Sequence, residues 1–421
     1  MWIGSFVKQV GWLVAVLGAA SCGSNESNRS TTAGVTETSE GDMIDILSYW
    51  NAPGSIESLQ ALIRVHKESH PEDQIINDAR FDMGWDAVLM ERIAQGNTPN
   101  LYVQPAWEVA GFLRKHGADS LHPLNEFLAL PPQAAVLPNL PPEFVAEVTV
   151  DGKIYGLSAG NVLRVNAFFY NRHVLAAHQL DPATTIDEFL TACQVLKAAG
   201  VHCVTTTMMS FLFEDLLVGV MGIDAYYSYR RGGEPDEKAL RRGIDVFEEV
   251  LEKYLDRSPL VLAARDINAA RIFAGNALMS GQVAMYADGD WSKTIIEQMG
   301  WVSGVDFGVV AAPGNAGLFV YGAEVFTIPS GAPHRQGALS FLGTVTSMEG
   351  QLAFVGFDKT PSRSDVQVTP DSERQGIIED WRRAKYRLGG DTEFPWEFPL
   401  WAFANVTHDK EALLQVLLTA Y

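Results

Sequence analysis

Three acidic residues raise the first question of chemistry. Asp288 and Asp290 stand two apart in "YADGDWSK", and Glu324 stands in "AEVFTIP". Paired carboxylates can share the acid and nucleophile (or base) roles of glycoside hydrolysis. Two acids this close in a turn, however, fix no catalytic separation. His66 and His70 have the i,i+4 spacing that can hold a metal on a helix, yet His70 adjoins Pro71 at the expected helix end and no third ligand suggests itself. No Ser-His-Asp arrangement, phosphate loop or dinucleotide fingerprint occurs. The residues imply no cofactor and no metal, and they favour binding over catalysis.

The elements that position such groups come from a long, acidic chain. Its 421 residues carry 51 acidic against 31 basic side chains, a net charge of −20. A surface that negative is repelled by phosphate backbones, and no basic run offsets it, so nucleic acid is excluded as a partner. The length suits two or three domains with real cores. The 10 Trp, 12 Tyr and 21 Phe are mostly core residues. Several of them sit in polar contexts near expected strand ends, where a flat apolar face is useful to a ligand.

The N-terminus has Lys8, an apolar run from Val10 to Ala20 and then small residues before Cys22. That pattern is a signal peptide over 1–21, too short in its apolar part to span a bilayer stably. The small residues before Cys22 resemble a bacterial lipobox, with Ala19 where Leu is usual, so Cys22 is expected to carry lipid. Simple secretion is the alternative. Residues 22–41, rich in Ser, Thr, Asn, Glu and Gly, read as a disordered tether. Cys193 and Cys203 are either a helix-to-strand disulfide or two buried thiols.

"DMIDILSYW" reads as a strand, and "IESLQALIRVHKESHP" as a helix on Leu59, Leu62, Ile63 and His66. "DQIINDARF", "WDAVLMERIAQG" and "PNLYVQPAW" complete a βαβαβ unit, the rhythm of a doubly wound sheet with ligand loops at strand C-termini. A Pro-rich stretch (130–144) breaks this rhythm, and "DGKIYGLSAG" (151–160) looks like a crossing between domains. Thr185 and Glu188 form a capping box for the next helix. Leu240, Ile244, Phe247, Val250, Leu251 and Tyr254 share one face of a later helix. "GQVAMYADGDWSKTIIEQ" reads as strand, turn and helix.

Taken in order, "DMIDILSYWNAPGSIESLQALIRVHKESHP", "GNTPNLYVQPAW", "DGKIYGLSAGNVLRVNAFFYN", "GQVAMYADGDW", "VVAAPG" and "FTIPSGAPHRQGALSFLGTVTSMEGQLAF…DKTPSRSDV" resemble the extracytoplasmic solute-binding proteins of ABC sugar importers. The likeness is to the glucose-type branch of the maltose-binding-protein group and covers nearly all of 42–421. It implies an α/β fold of the two-lobed periplasmic-binding-protein type II, each lobe a mixed sheet flanked by helices, with the ligand between the lobes. The lobes would be 42–158 plus 311–345, and 159–310 plus 346–421. The implied function is hinge closure on a sugar and its delivery to permease subunits by a monomer anchored outside the cytoplasm.

A sugar ring offers C–H faces and a rim of hydroxyls, so its site needs aromatic planes and planar polar side chains. The resemblance places Tyr49 and Trp50 against the ligand, with Asn51 at the rim. Gln104 matches the family pattern, whereas Ser55 and Ala106 stand where it expects Glu and His, and a Trp expected near 205–209 is missing. These departures count against glucose. Asn161 and Asn166 match positions near the cleft, where the plainer role is hinge structure, and Arg164 is within reach. Asp290 corresponds to a hydroxyl-binding carboxylate beside Trp291, and it could equally cap the following helix. Lys359 and Arg363 match a loop that approaches the cleft, and Trp401 could supply a substitute face. A solute sensor for a signalling partner would bind in the same way, and a secreted glycoside hydrolase is the enzymatic rival.

Overall fold

The computed structural model describes residues 41–421 apart from 52–53, 81–84, 161, 357–358, 369–371 and 390–394. The signal peptide, the tether and Cys22 fall outside the described residues, as does Asn161. Thirteen strands occur among the described residues. They are β1 (Met43–Ser48), β2 (Gln74–Ala79), β3 (Leu101–Pro105), β4 (Thr149–Val150), β5 (Lys153–Ile154), β6 (Val162–Arg164), β7 (Ala167–Asn171), β8 (His202–Thr206), β9 (Leu255–Asp256), β10 (Val283–Asp288), β11 (Phe307–Ala311), β12 (Leu318–Thr327) and β13 (Tyr386–Gly389).

The first sheet runs β13-β12-β3-β1-β2, with β6 also on β12. Its β2-β1-β3 part is parallel, as the βαβαβ reading requires, whereas β12 enters antiparallel to β3. The second sheet runs β11-β7-β10-β8-β9, parallel from β10 to β9 and antiparallel at β7. Both sheets are therefore mixed. β3 and β10 are buried along their whole length, which is how central strands covered on both faces read.

Each sheet has its own apolar core. Ile44, Leu62, Val103, Phe326 and Phe341 belong to the first, while Phe189, Leu216, Phe247 and Leu414 belong to the second. The strand β12 serves both, because Phe319, Tyr321 and Val325 face the first core and Leu318 and Val320 face the second. Helix Glu237–Lys253 buries the apolar stripe expected of it. Thr185 and Glu188 make the reciprocal capping bonds, each 3.2 Å.

Among the described residues the chain goes from a strand of one sheet to a strand of the other at two places, and after β13 it returns to the second core. The first is 164–167, where β6 of one sheet gives way to β7 of the other; residues 154–159 remain in the first core, so the crossing lies beyond the expected 151–160. The second joins β11 to β12. Asn166 ties both: its Nδ2 donates to the Leu318 carbonyl at 3.2 Å, its Oδ1 accepts from the Val320 N–H at 3.1 Å, and its carbonyl accepts from Ala312 at 3.3 Å. The expected allotment of 346–421 to one lobe is divided in the structure. Helix Met348–Val355 packs on helix Ser55–Ser69 and β13 pairs with β12, whereas Leu400, Phe403 and Leu414 join the second core.

Cys193, in helix Ile186–Ala198, and Cys203, in β8, are joined by a disulfide. A loop this short removes chain entropy worth about 2–3 kcal/mol in the usual model. Among the described residues no helix is long and apolar enough to cross a membrane.

Candidate ligand-binding site

The strand β10 ends in the turn that carries the two close acids, and the structure gives them different work. Asp288 is saturated: its Oδ2 accepts from Thr207 at 3.0 Å, Ser292 at 2.9 Å and the Tyr286 hydroxyl, and its Oδ1 accepts from the Gly289 N–H at 2.8 Å. Arg271 adds charge at 3.6 Å. Asp288 therefore braces the turn.

Asp290 is fully buried, and Arg374 donates to its Oδ2 at 3.2 Å. Its Oδ1 has no partner among the described residues. Burial pushes this carboxyl above the usual range against the positive charges of Arg374, Lys359 and Arg164. The expected capping role is not what the side chain does, since helix Ser292–Gln298 has no side-chain cap and Trp291 takes the N-cap position. The neighbouring Trp291 has a buried Nε1–H without a partner, while its ring lies 5.2 Å from the Arg271 guanidinium and 6.3 Å from Phe211. Two consecutive residues thus carry a buried acceptor and a buried donor, each without a partner among the described residues. Each such group costs about 1–3 kcal/mol.

From the first sheet, Glu324 on β12 shares one of these charges, that of Lys359. It accepts from Trp50 Nε1 at 2.7 Å. Half-buried as a whole residue, it has an enclosed carboxyl end that burial pushes upward, against Lys359, Tyr49, Trp50 and Arg271. Tyr49 is raised in turn by burial and by Glu324. Lys359, itself 6% exposed, acts on both Glu324 and Asp290, so one cation links an acid of each sheet. The two sides also meet at Gly54, where a Cβ would lie 3.2 Å from the Thr294 side chain.

Tyr49, Trp50, Asp290, Trp291 and Lys359 are therefore brought together. Trp50 contributes differently from the expected open plane. It is 2% exposed, packed at 5.2 Å from Phe326 and 5.4 Å from Phe354, and only its N–H is offered to Glu324. Consecutive strand residues face opposite ways, so one of the aromatic pair is committed to the core. Asn51 is exposed, and Ser55 begins helix Ser55–Ser69.

Other expected residues do structural work. Gln104 is buried on β3 and donates to Thr327 at 3.2 Å. Asn166 ties the crossing segments, as described above. Arg363 is spent on Asp365, at 2.9 and 2.7 Å, and on the Thr346 carbonyl at 2.6 Å. Arg164 pairs with Asp380 and lies 4.9 Å over Phe319. Trp401 is half exposed beside Phe398. His66 bonds Asp73 and Thr344, each at 2.9 Å, and His70 bonds Ser340 at 3.0 Å. No metal-holding cluster occurs among the described residues.

Arg374 and Arg271 were not legible in advance. They sit one to a helix, on Ser372–Arg383 and Ile267–Met279, in no local motif. Glu324 drew notice only as an acid; its place opposite Asp290 comes from the β12 register beside β3.

Comparison with known proteins bears on what this arrangement serves. A family described as bacterial extracellular solute-binding protein matches residues 86–379. An uncharacterised ABC-transporter extracellular-binding protein of Pyrococcus horikoshii is 24% identical over 395 residues, covering 90% of this chain and 85% of that protein. A solved chitin oligosaccharide binding protein superposes with a TM-score of 0.72 at 18% identity, over 90% of this chain and 98% of that one. The GacH receptor of Streptomyces glaucescens, known unliganded and with acarbose, superposes at 0.70 with 18% identity, over 90% and 97%. The fold is that of maltose-type periplasmic binding proteins.

The raised carboxyls give a signed pH dependence. A group whose folded pKa lies above its unfolded value lends stability fully at low pH and loses it as pH rises through the folded value. Glu324→Gln removes one such group. Melting temperatures should therefore shift in favour of the variant as pH goes from about 4 to about 8. A difference that stays constant across that range would contradict an enclosed, raised carboxyl.

Proposed function

The chain belongs to the bacterial extracellular solute-binding proteins, and from that premise we propose that it is the substrate-binding component of an ABC importer, closing two lobes on a carbohydrate. Its relatives are solute-binding proteins rather than enzymes. The observation that carries the carbohydrate reading is that two consecutive residues after β10 each hold a buried polar atom with no partner among the described residues: Asp290 Oδ1, an acceptor, and Trp291 Nε1, a donor. A sugar hydroxyl both donates and accepts, so a ring edge supplies what each atom lacks.

The other acid, Glu324, sits with Tyr49 and Trp50 on the first lobe, and the charge of Lys359 acts on both carboxyls. Closing the lobes removes water from all of them at once, which strengthens each polar contact. Ligand that prefers the closed arrangement shifts the population toward it, and that shape is what a permease recognises. Structural neighbours named for chitin oligosaccharide and acarbose support saccharides as the class. Ser55 and Ala106, where glucose-type members carry Glu and His, direct the choice away from glucose. We further propose that the protein acts as a monomer, held outside the cytoplasm by lipid on Cys22.

A thermal-shift screen of neutral mono- and oligosaccharides should find a stabilising ligand. For that ligand, Asp290→Ala should weaken binding at least tenfold, about 1.4 kcal/mol. Trp291→Phe, which keeps a ring but removes the N–H, should weaken it severalfold. Stabilisation by another solute class and by no carbohydrate would end the sugar reading. Separately, Cys22→Ala should move the protein from the membrane fraction to the soluble one, and unchanged retention would remove the anchor.

A further inference from the structure

A cavity of about 260 Å³ lies on the side of the first sheet, lined by the Pro-rich segment, the 360–364 loop and the end of helix Ser372–Arg383. Leu140, Pro141, Ile378 and Trp381 supply apolar walls, and Arg382 and Arg387 stand on its lining.

The two arginines set its chemistry. Arg387 lies 5.1 Å over the Trp381 ring and donates to the Trp381 carbonyl at 2.9 and 2.7 Å and to the Arg382 carbonyl at 3.0 Å. Arg382 donates to the Val366 carbonyl at 3.2 Å. Among the described residues every hydrogen-bond partner of this pair is a backbone carbonyl, so their charge is held in place but not neutralised. Arg363, on the same lining, differs because Asp365 grips it with two bonds. Two acids lie close by through Tyr321, whose hydroxyl donates to Glu147 at 2.8 Å and feels the charges of both Glu143 and Arg387.

In a chain with a net charge of −20, two guanidiniums that form no ion pair among the described residues and stand beside an apolar cavity suit an anion. Thr360, whose buried hydroxyl has no partner among the described residues, lies on the same lining and pairs with Val162 of β6. The cavity therefore abuts a strand that leads into the crossing between the sheets.

We propose that this cavity is a second ligand site, independent of the carbohydrate reading, for a small organic carboxylate with an apolar body. The carboxylate takes the donors that the carbonyls leave over, Nη1 of Arg387 and Nε and Nη1 of Arg382, and a lysine at either place would offer no second fixed donor of this kind. The body packs on Leu140, Pro141 and Ile378.

The probe is 4-fluorobenzoate, followed by fluorine NMR line broadening on the full protein. Its neutral counterpart, 4-fluorobenzyl alcohol, runs in parallel. Wild type should broaden the carboxylate well beyond the alcohol, and added salt should weaken that effect. Arg382→Gln, at an exposed position, and Arg387→Gln should each reduce affinity at least fivefold, with Arg387→Lys recovering only part of it. Asp290→Ala should leave it unchanged. Equal broadening by the alcohol, no broadening, indifference to Arg382→Gln, or loss in Asp290→Ala would each overturn the proposal.

Discussion

A carboxylate sealed from water with one oxygen satisfied and the other not is expensive to keep. Asp290 is such a group, held by Arg374 through Oδ2 while Oδ1 faces no partner among the described residues. Its electrostatic surroundings come from several parts of the chain: Arg374 from a helix whose Ile377 and Trp381 sit in the first core, Arg164 from the strand that leads into the crossing, and Lys359 from the late loop. In the proposed function, a sugar hydroxyl offsets that cost. That requirement gives the rest of the arrangement its sense.

The fold serves the requirement through shared pieces rather than through a rigid block. The strand β12 lends alternate residues to two cores, and Asn166 fastens both chain crossings with its side chain and its backbone. A joint built this way has hydrogen bonds from one residue at both crossings. Gly54 shows how near the two sides come, because its missing side chain is what admits Thr294. Its φ of +82° is a second reason for glycine there.

Much of this was legible in the sequence, for reasons of pattern. The βαβαβ rhythm of the first 60 or so folded residues, the Thr185 capping box and the buried stripe on Glu237–Lys253 all follow from local periodicity and short-range hydrogen bonds. So did the importance of the turn after β10. What local pattern could not supply was long-range pairing. Arg374 and Asp290 are 84 residues apart, and Trp50 and Glu324 are 274 apart. Motif matching placed Gln104, Asn166 and Arg363 near a ligand by analogy, yet each side chain is bonded to its own protein. It also placed Trp50 against the ligand, although Trp50 is packed into the core.

A crystal structure with a carbohydrate bound tests the central claim most directly. The account predicts a ring between the lobes, with one hydroxyl in hydrogen-bond reach of Asp290 Oδ1 and of Trp291 Nε1, and Glu324 on the opposite side. A sugar bound anywhere that leaves those two atoms unpartnered would contradict it.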